Sequence, residues 1–265
     1  MICYKFTKAE YAFVTLFDRR LKVSRPTEFN DIFEFCPVSE PYSLVRTVLA
    51  DPTKVRHLYQ VEVEKGYTKS FDYFKANDIG SKLVAHLPLV DLAKKDLDAR
   101  VEASKYIGVV CLCRCSLVYL LWSHYADSHK GCAIGVDVWN TSFGRARVNE
   151  RVHYATQRPE RAWDHQGGSL WEELKKITRT KSKVWAYERE YRLAFPIEEL
   201  ERHGDHCFVA LHPQAVRRVV YGEQMDSAFR RRIDELLGHP DYRHVCRYIV
   251  KRDARTYSLR LLRLK

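Results

Sequence analysis

The chain of 265 residues lacks the short motifs of the commonest nucleotide and hydrolase chemistries. No Walker loop is present to cradle a triphosphate, and no G-x-G-x-x-G turn to seat a dinucleotide on a Rossmann unit. Without H-E-x-x-H the usual zinc-protease helix is excluded, and without G-x-S-x-G the serine elbow of α/β-hydrolases. Eight cysteines occur, but none form a C-x-x-C framework, which fits reduced thiols inside a cell. Cys111, Cys113 and Cys115 fall on one strand face, where i, i+2, i+4 spacing holds them too far apart to close around one zinc ion. Core thiols are the expectation. No apolar run approaches a membrane span, and the start, M-I-C-Y-K-F-T-K, has no apolar h-region. A soluble cytoplasmic protein is expected. Internal repeats, low-complexity segments and clear linkers are also missing, so one domain over 1–265 is the simplest division.

What is present is positive charge, aromatic residues and carboxylates. The net charge is +11. From Arg217 onward 11 Arg and 2 Lys stand against six acidic residues, an excess of seven. This basic C-terminal part (about 217–265) points to a polyanionic partner, nucleic acid or an acidic protein, or to a surface on which Arg is used freely.

The stretch Lys181 to Phe195 reads as one strand, because Val184, Trp185, Tyr187, Tyr191, Leu193 and Phe195 are not interrupted by Gly or Pro. Alternation then puts Glu188, Glu190 and Arg192 on one face and Tyr187, Arg189 and Tyr191 on the other. Two such carboxylates would sit about 7 Å apart. They could serve a reacting centre and an incoming nucleophile, or form a solvated face with an ion pair to Arg192.

Along the chain, residues 2–7 read as a strand and Lys8 to Arg20 as a helix, with Thr7 and Glu10 as a capping box. Leu21 to Ser24 reads as a strand, and Asn30-Asp31 as turn chemistry between large apolar residues, by preference a local Asx turn. Residues 40–105 are a helical insertion broken at Pro52, Gly66, Gly80 and Pro88. Ile107–Cys113 and Cys132–Val138 are buried-type strands flanking a helical segment, 117–130, that Gly131 stops. Val148–Tyr154 reads as a strand, 155–168 as a loop and 169–182 as a basic helix. Strands at 207–211, 216–221, 245–250 and 256–264 and a helix at 227–237 complete an α+β chain of mixed or antiparallel sheets packed with helices.

Four segments together resemble a bacterial family catalogued as domain of unknown function 2971, over about residues 2–222. They are Tyr4-Lys5-Phe6, the block from Val23 to Glu34, the block from Trp122 to Gly131, and Thr180 to Arg192. Ile32 stands where the family usually has Pro. That pattern in turn resembles a divergent ADP-ribosyltransferase. Such folds open with a strand bearing a His- or Arg-containing motif, supply a Tyr or Ser centrally, and end on a strand with a catalytic Glu, often in E-x-E. Tyr4-Lys5-Phe6-Thr7, Tyr125 and Glu188-x-Glu190 come in that order, with Lys5 where many members have His.

The resemblance implies NAD as cofactor. Glu190 would stabilise the oxocarbenium-like state and Glu188 would orient or deprotonate the acceptor. Tyr125 and Phe29 would stack on nicotinamide and Asn30 would hydrogen-bond to the cofactor. Tyr4, Lys5, Ser24, Ser123 and His124 complete the implied cofactor-binding set. It also implies a nucleic-acid or protein acceptor, and a toxin or phage-defence setting with an antitoxin or regulatory partner. Two other readings stand beside it. One is a Mg²⁺-dependent nuclease using Asp31, Glu34, Glu188 and Glu190. The other is a non-enzymatic nucleic-acid-binding module whose carboxylates only pair with Arg.

Overall fold

The computed structural model describes residues 1–38, 49–85, 89–159 and 170–264. Strand β1 (Ile2–Thr7) leads into helix α1 (Ala9–Phe17), strand β2 (Arg20–Val23) and a 3-10 turn over Pro26–Glu28. The insertion contributes α2 (Pro52–Glu64), a short helix Phe71–Tyr73 that passes through a π-helical turn (Phe74–Asp78) into α3 (Ile79–Ala85), and the long α4 (Leu89–Tyr106). Then follow β3 (Ile107–Cys113), α5 (Tyr119–Tyr125), β4 (Cys132–Asp137), β5 (Val148–Arg151), β6 (His153–Ala155), α6 (Leu170–Thr178), β7 (Thr180–Ser182) and β8 (Glu190–Pro196). The chain closes with β9 (Glu201–His203), β10 (His206–Ala210), β11 (Val216–Tyr221), α7 (Ser227–Leu237), β12 (Cys246–Arg252) and β13 (Leu259–Arg263).

The main sheet has the order β13-β12-β11-β4-β1-β3-β8-β5, antiparallel except for β11 beside β12. A three-stranded sheet, β2-β10-β9, and a parallel pair, β6-β7, complete it. This is the mixed-sheet α+β architecture expected from the sequence. Central strands are apolar on both sides because both faces are covered. Cys3, Ile134, Leu112, Tyr191 and Val219 face one core, with Leu16 and Ile233 brought by α1 and α7. Tyr4, Phe6, Cys113, Ala133 and Val220 face the other, closed by Leu121 and Trp122 of α5. Trp122 meets Phe6 edge-on at 5.2 Å, the arrangement the ring quadrupoles favour.

Helix α5 ends at Tyr125, and Asp127, Ser128 and His129 then take positive φ in succession. Gly131 must follow, because a Cβ there would lie 2.1 Å from the Thr7 carbonyl oxygen. That close approach lets β4 begin beside the end of β1, with Thr7 opposite Cys132.

Several boundaries differ from the pattern. Thr7 does not cap α1, since its backbone belongs to the β1–β4 ladder; the cap position is Lys8, without a side-chain bond. The helix expected over 169–182 stops at Thr178, because Thr180–Ser182 pairs with His153–Ala155. The strand expected over Val148–Tyr154 divides, β5 joining β8 and β6 joining β7. Of the insertion, 40–48 and 86–88 lie outside the described residues, as do 160–168 of the expected loop and the first residue, 169, of the helix expected after it. The insertion has a small core of its own, Val55, Phe74, Ile79 and Leu83, ringed by Tyr59, Tyr67 and Phe71. No helix among the described residues is long and apolar enough to cross a membrane.

Candidate functional site

The stretch from Lys181 is not one strand. Strand β7 ends at Ser182, a 3-10 turn covers Lys183–Glu188, and Arg189, at φ 48°, reverses the chain into β8. Instead of spreading Glu188 and Glu190 along a flat face, the turn folds both onto one cation. Lys181 Nζ lies 2.6 Å from Glu188, 3.2 Å from Glu190 and 3.7 Å from Glu34. Arg192, two residues after Glu190 on the same strand face, grips both Glu190 oxygens at 2.8 and 3.1 Å. It donates further to the Thr178 carbonyl at 2.7 Å and to Glu34. The rings of Phe29 and Phe35 stand 5.4 and 5.7 Å from its guanidinium carbon. The Glu190 amide donates to the Tyr154 hydroxyl.

Five charged side chains are therefore enclosed together, Arg192 and Glu34 at 1 % exposure and none of the five above 6 %. Three carboxylates face two cations. Burial tends to raise the Glu190 pKa, but Arg192 and Lys181 outweigh it and hold this carboxyl down at about 2. For Glu34 burial prevails and its pKa rises, so Glu34 takes up a proton before Glu190 does as pH falls. Burial also opposes the Lys181 charge, yet Glu190, Glu34 and Glu188 raise its pKa, and the ammonium stays charged.

One chain of contacts leads outward. The Tyr125 hydroxyl donates to Glu188 Oε1 at 2.8 Å, while the Tyr125 residue is 38 % exposed. Asn30, exposed, stands beside Tyr125, where its side chain acts to lower the phenol's pKa. Burial and Glu188 both raise the Tyr125 pKa, so this phenol is a donor at neutral pH. Tyr125→Phe is expected to cost about 1 kcal/mol, a Tm decrease of about 2–4 °C in thermal denaturation.

The structure thus gathers Glu188, Glu190, Tyr125, Asn30 and Phe29. Other expected site residues stand apart. Tyr4 shares the sheet face of Glu190 through Cys113, but it is buried and its hydroxyl accepts from Arg218 at 3.0 Å. Lys5, paired with Ile134, projects from the opposite face and donates to the Cys111 carbonyl. Ser24 exchanges backbone bonds with Val109. Ser123 contacts His129 at 3.3 Å, and His124 is exposed with its ring 6.2 Å from that of Tyr125.

Lys181, Thr178 and Tyr154 are members that the sequence pattern did not single out; an ion pair to Arg192 was foreseen. Glu34, between Phe33 and Phe35, entered only as a nuclease ligand. Asp31 makes the Asx turn, its Oδ1 accepting from the Phe33 amide. The Lys181 ammonium occupies the centre of the three carboxylates, where a divalent ion would have to stand. Among the described residues no group of three His, Cys, Asp or Glu side chains is arranged to hold a metal ion. A depression of about 620 Å³ lined by Arg19, Ser142, Leu211, His212 and Asp241 contains none of the candidate residues.

The family model for a protein of unknown function, DUF2971, matches residues 121–193. The matched span runs from α5 to β8 and carries Tyr125, Lys181, Glu188, Glu190 and Arg192. It is narrower than the 2–222 expected, and the blocks around Tyr4 and Asn30 lie outside it. No curated protein and no solved structure matches the chain.

Much of the C-terminal basic excess is engaged internally. Arg218 bonds Tyr4, Arg230 and Arg247 pair with Asp234, and Lys251 and Arg252 pair with Glu223. Arg260 pairs with Asp253, and Arg232 lies over Phe13 and Phe229.

Proposed function

We propose that the rim formed by Asn30 and Tyr125 takes NAD⁺ and that the chain transfers ADP-ribose from it to a nucleic-acid or protein acceptor. The observation that carries this is the Tyr125–Glu188 hydrogen bond, which joins a half-exposed ring to a buried carboxylate. The side chains at the rim suit such a group: an aromatic face, an amide, and an acceptor oxygen one bond below the surface. Glu34 Oε2, without a hydrogen-bond partner among the described residues, adds an unfilled acceptor in the same cluster.

Bound NAD⁺ would supply a glycosidic carbon that gains positive charge as nicotinamide departs. Tyr125 offers the ring face and Asn30 the hydrogen bond. The roles of the two glutamates are reassigned. Glu190 has both oxygens committed to Arg192 and Lys181, so it anchors the cluster. Glu188, whose Oε1 meets only the Tyr125 hydroxyl among the described residues, is the carboxylate able to stabilise charge at the rim. Lys181 fixes its other oxygen in place. A toxin or defence role with a neutralising partner follows from the resemblance alone.

A second reading draws on the enclosure of all five charges: the cluster holds the fold, and the chain is a nucleic-acid-binding module. Nicotinamide release from NAD⁺ by purified protein decides between them, assayed with chelator and with RNA, DNA or protein acceptors added. Chelator-resistant release supports transfer. No release under any condition by folded protein supports the binding module.

A further inference from the structure

The segment that brings Phe29, Asn30 and Glu34 to the site has little regular structure of its own. Beyond the 3-10 turn at Pro26–Glu28 it makes no strand or helix. Its carbonyls are instead collected by one side chain of the insertion. Arg100, on α4, donates to the Pro26 carbonyl at 3.0 and 3.3 Å, to the Phe29 carbonyl at 2.6 Å and to the Asp31 carbonyl at 3.4 Å. One turn further along α4, Ser104 accepts from the Thr27 amide at 3.0 Å. The far end of the segment is held separately, Arg158 donating to the Cys36 and Pro37 carbonyls.

We propose that Arg100 is a positioning residue, through which the helical insertion sets the Pro26–Glu34 segment so that Asn30 meets Tyr125 and Glu34 meets Arg192. The insertion acts as a strut under the site rather than a cover over it. A guanidinium suits the task because its planar fork reaches several carbonyls at once, whereas an ammonium offers one small point of charge. No other side chain among the described residues bonds the Phe29 carbonyl, so it loses its partner when Arg100 is removed. Helix α4 runs straight into β3, which pairs with β8, so the strut and the Glu190–Arg192 strand share one rigid support. This assignment rests on the rim being the substrate site.

The test is amide hydrogen exchange, with NAD⁺ kinetics alongside, on Arg100→Lys and Arg100→Ala in the full chain. The amides of Thr27, Phe33 and Glu34, each hydrogen-bonded in the native segment, are the probes, and the amides of β11 are the control. Both variants are expected to exchange roughly tenfold faster over 26–36, the equivalent of one lost hydrogen bond to a charged group, with β11 unchanged. KM for NAD⁺ should rise by a similar factor with kcat less affected, the pattern of a lost binding contact. If Arg100→Ala does not fold, Arg100→Lys carries the test. Unchanged exchange over 26–36, or faster exchange throughout the chain, overturns the assignment. Faster local exchange in a protein that releases no nicotinamide upholds the strut and removes the NAD⁺ reading instead.

Discussion

Arg192→Met is expected to destabilise the protein by about 3–5 kcal/mol, the usual cost of leaving buried charges without their partner. For a chain of this size that corresponds to a Tm decrease on the order of 10 °C. Glu190 would lose Arg192 from both its oxygens and keep Lys181 on one of them, Glu34 would keep the more distant Lys181, and the Thr178 carbonyl would lose its donor. Arg192→Lys should rescue little, since one ammonium cannot span those acceptors. Replacing Arg192, Glu190 and Glu34 together by apolar or neutral residues should recover part of the loss, because a removed ion cluster also removes its desolvation cost. Acid should act on the same group. Glu190 has its folded pKa depressed to about 2, so its contribution is complete above the unfolded carboxyl value of about 4.3 and fades as pH falls from there toward 2. Glu34, with its pKa raised, works in the opposite sense and softens the upper end of that transition. A Tm for Arg192→Met within 2 °C of wild type, near the lower end of the shift of about 2–4 °C expected per kcal/mol, would show that the cluster does not hold the fold.

Glu188→Gln is expected to reduce nicotinamide release by about 10²–10³-fold, the range for losing one preorganised electrostatic contact to a transition state. Its Tm should stay close to wild type. Turned with its oxygen toward Lys181, the amide keeps that contact and donates its NH2 to the Tyr125 hydroxyl oxygen, and Lys181 retains Glu190 and Glu34. Glu190→Gln should do the reverse first, lowering stability through Arg192 and Lys181. The two variants assayed together separate a carboxylate that reacts from one that supports. Equal turnover by Glu188→Gln and wild type would place the reacting group elsewhere.

Much of the sheet was legible from local pattern. Ile107–Cys113 and Cys132–Asp137 are apolar runs because neighbours cover both their faces, and such runs announce themselves. The break inside Lys181–Phe195 was not legible. Val184, Trp185 and Tyr187 are strand-type residues, yet they form a 3-10 turn, and the left-handed residue that ends it is an arginine, not a glycine. The preference that won is tertiary: only that reversal brings Glu188 and Glu190 onto Lys181. The reach from Glu34 to Arg192 spans 158 residues and leaves no periodic trace. Thr7 and Glu10 had the right spacing for a cap, but the ladder with Cys132 claimed Thr7 first. The carboxylates were legible from type and spacing, and Arg192 as an ion-pair partner beside them, while Lys181 was not, because a lone Lys beside a strand reads as solvated surface.

The position of β1 has a consequence for how the chain reaches this state. Strand β1 is an interior strand, yet its partners β3 and β4 lie more than 100 residues downstream. Ile2–Thr7 must wait, unpaired and apolar, until residues near 113 and 137 have been made, and the charge cluster cannot close before Arg192 emerges. Pairings of such long sequence separation are slow to form and leave strand edges exposed meanwhile. The insertion, with its own aromatic centre built from contacts close in sequence, can fold first. Synthesis would then proceed from a local helical nucleus to a late, concerted closure of the sheet, and yield during expression should depend on chaperone supply more steeply than the stability of the finished protein suggests.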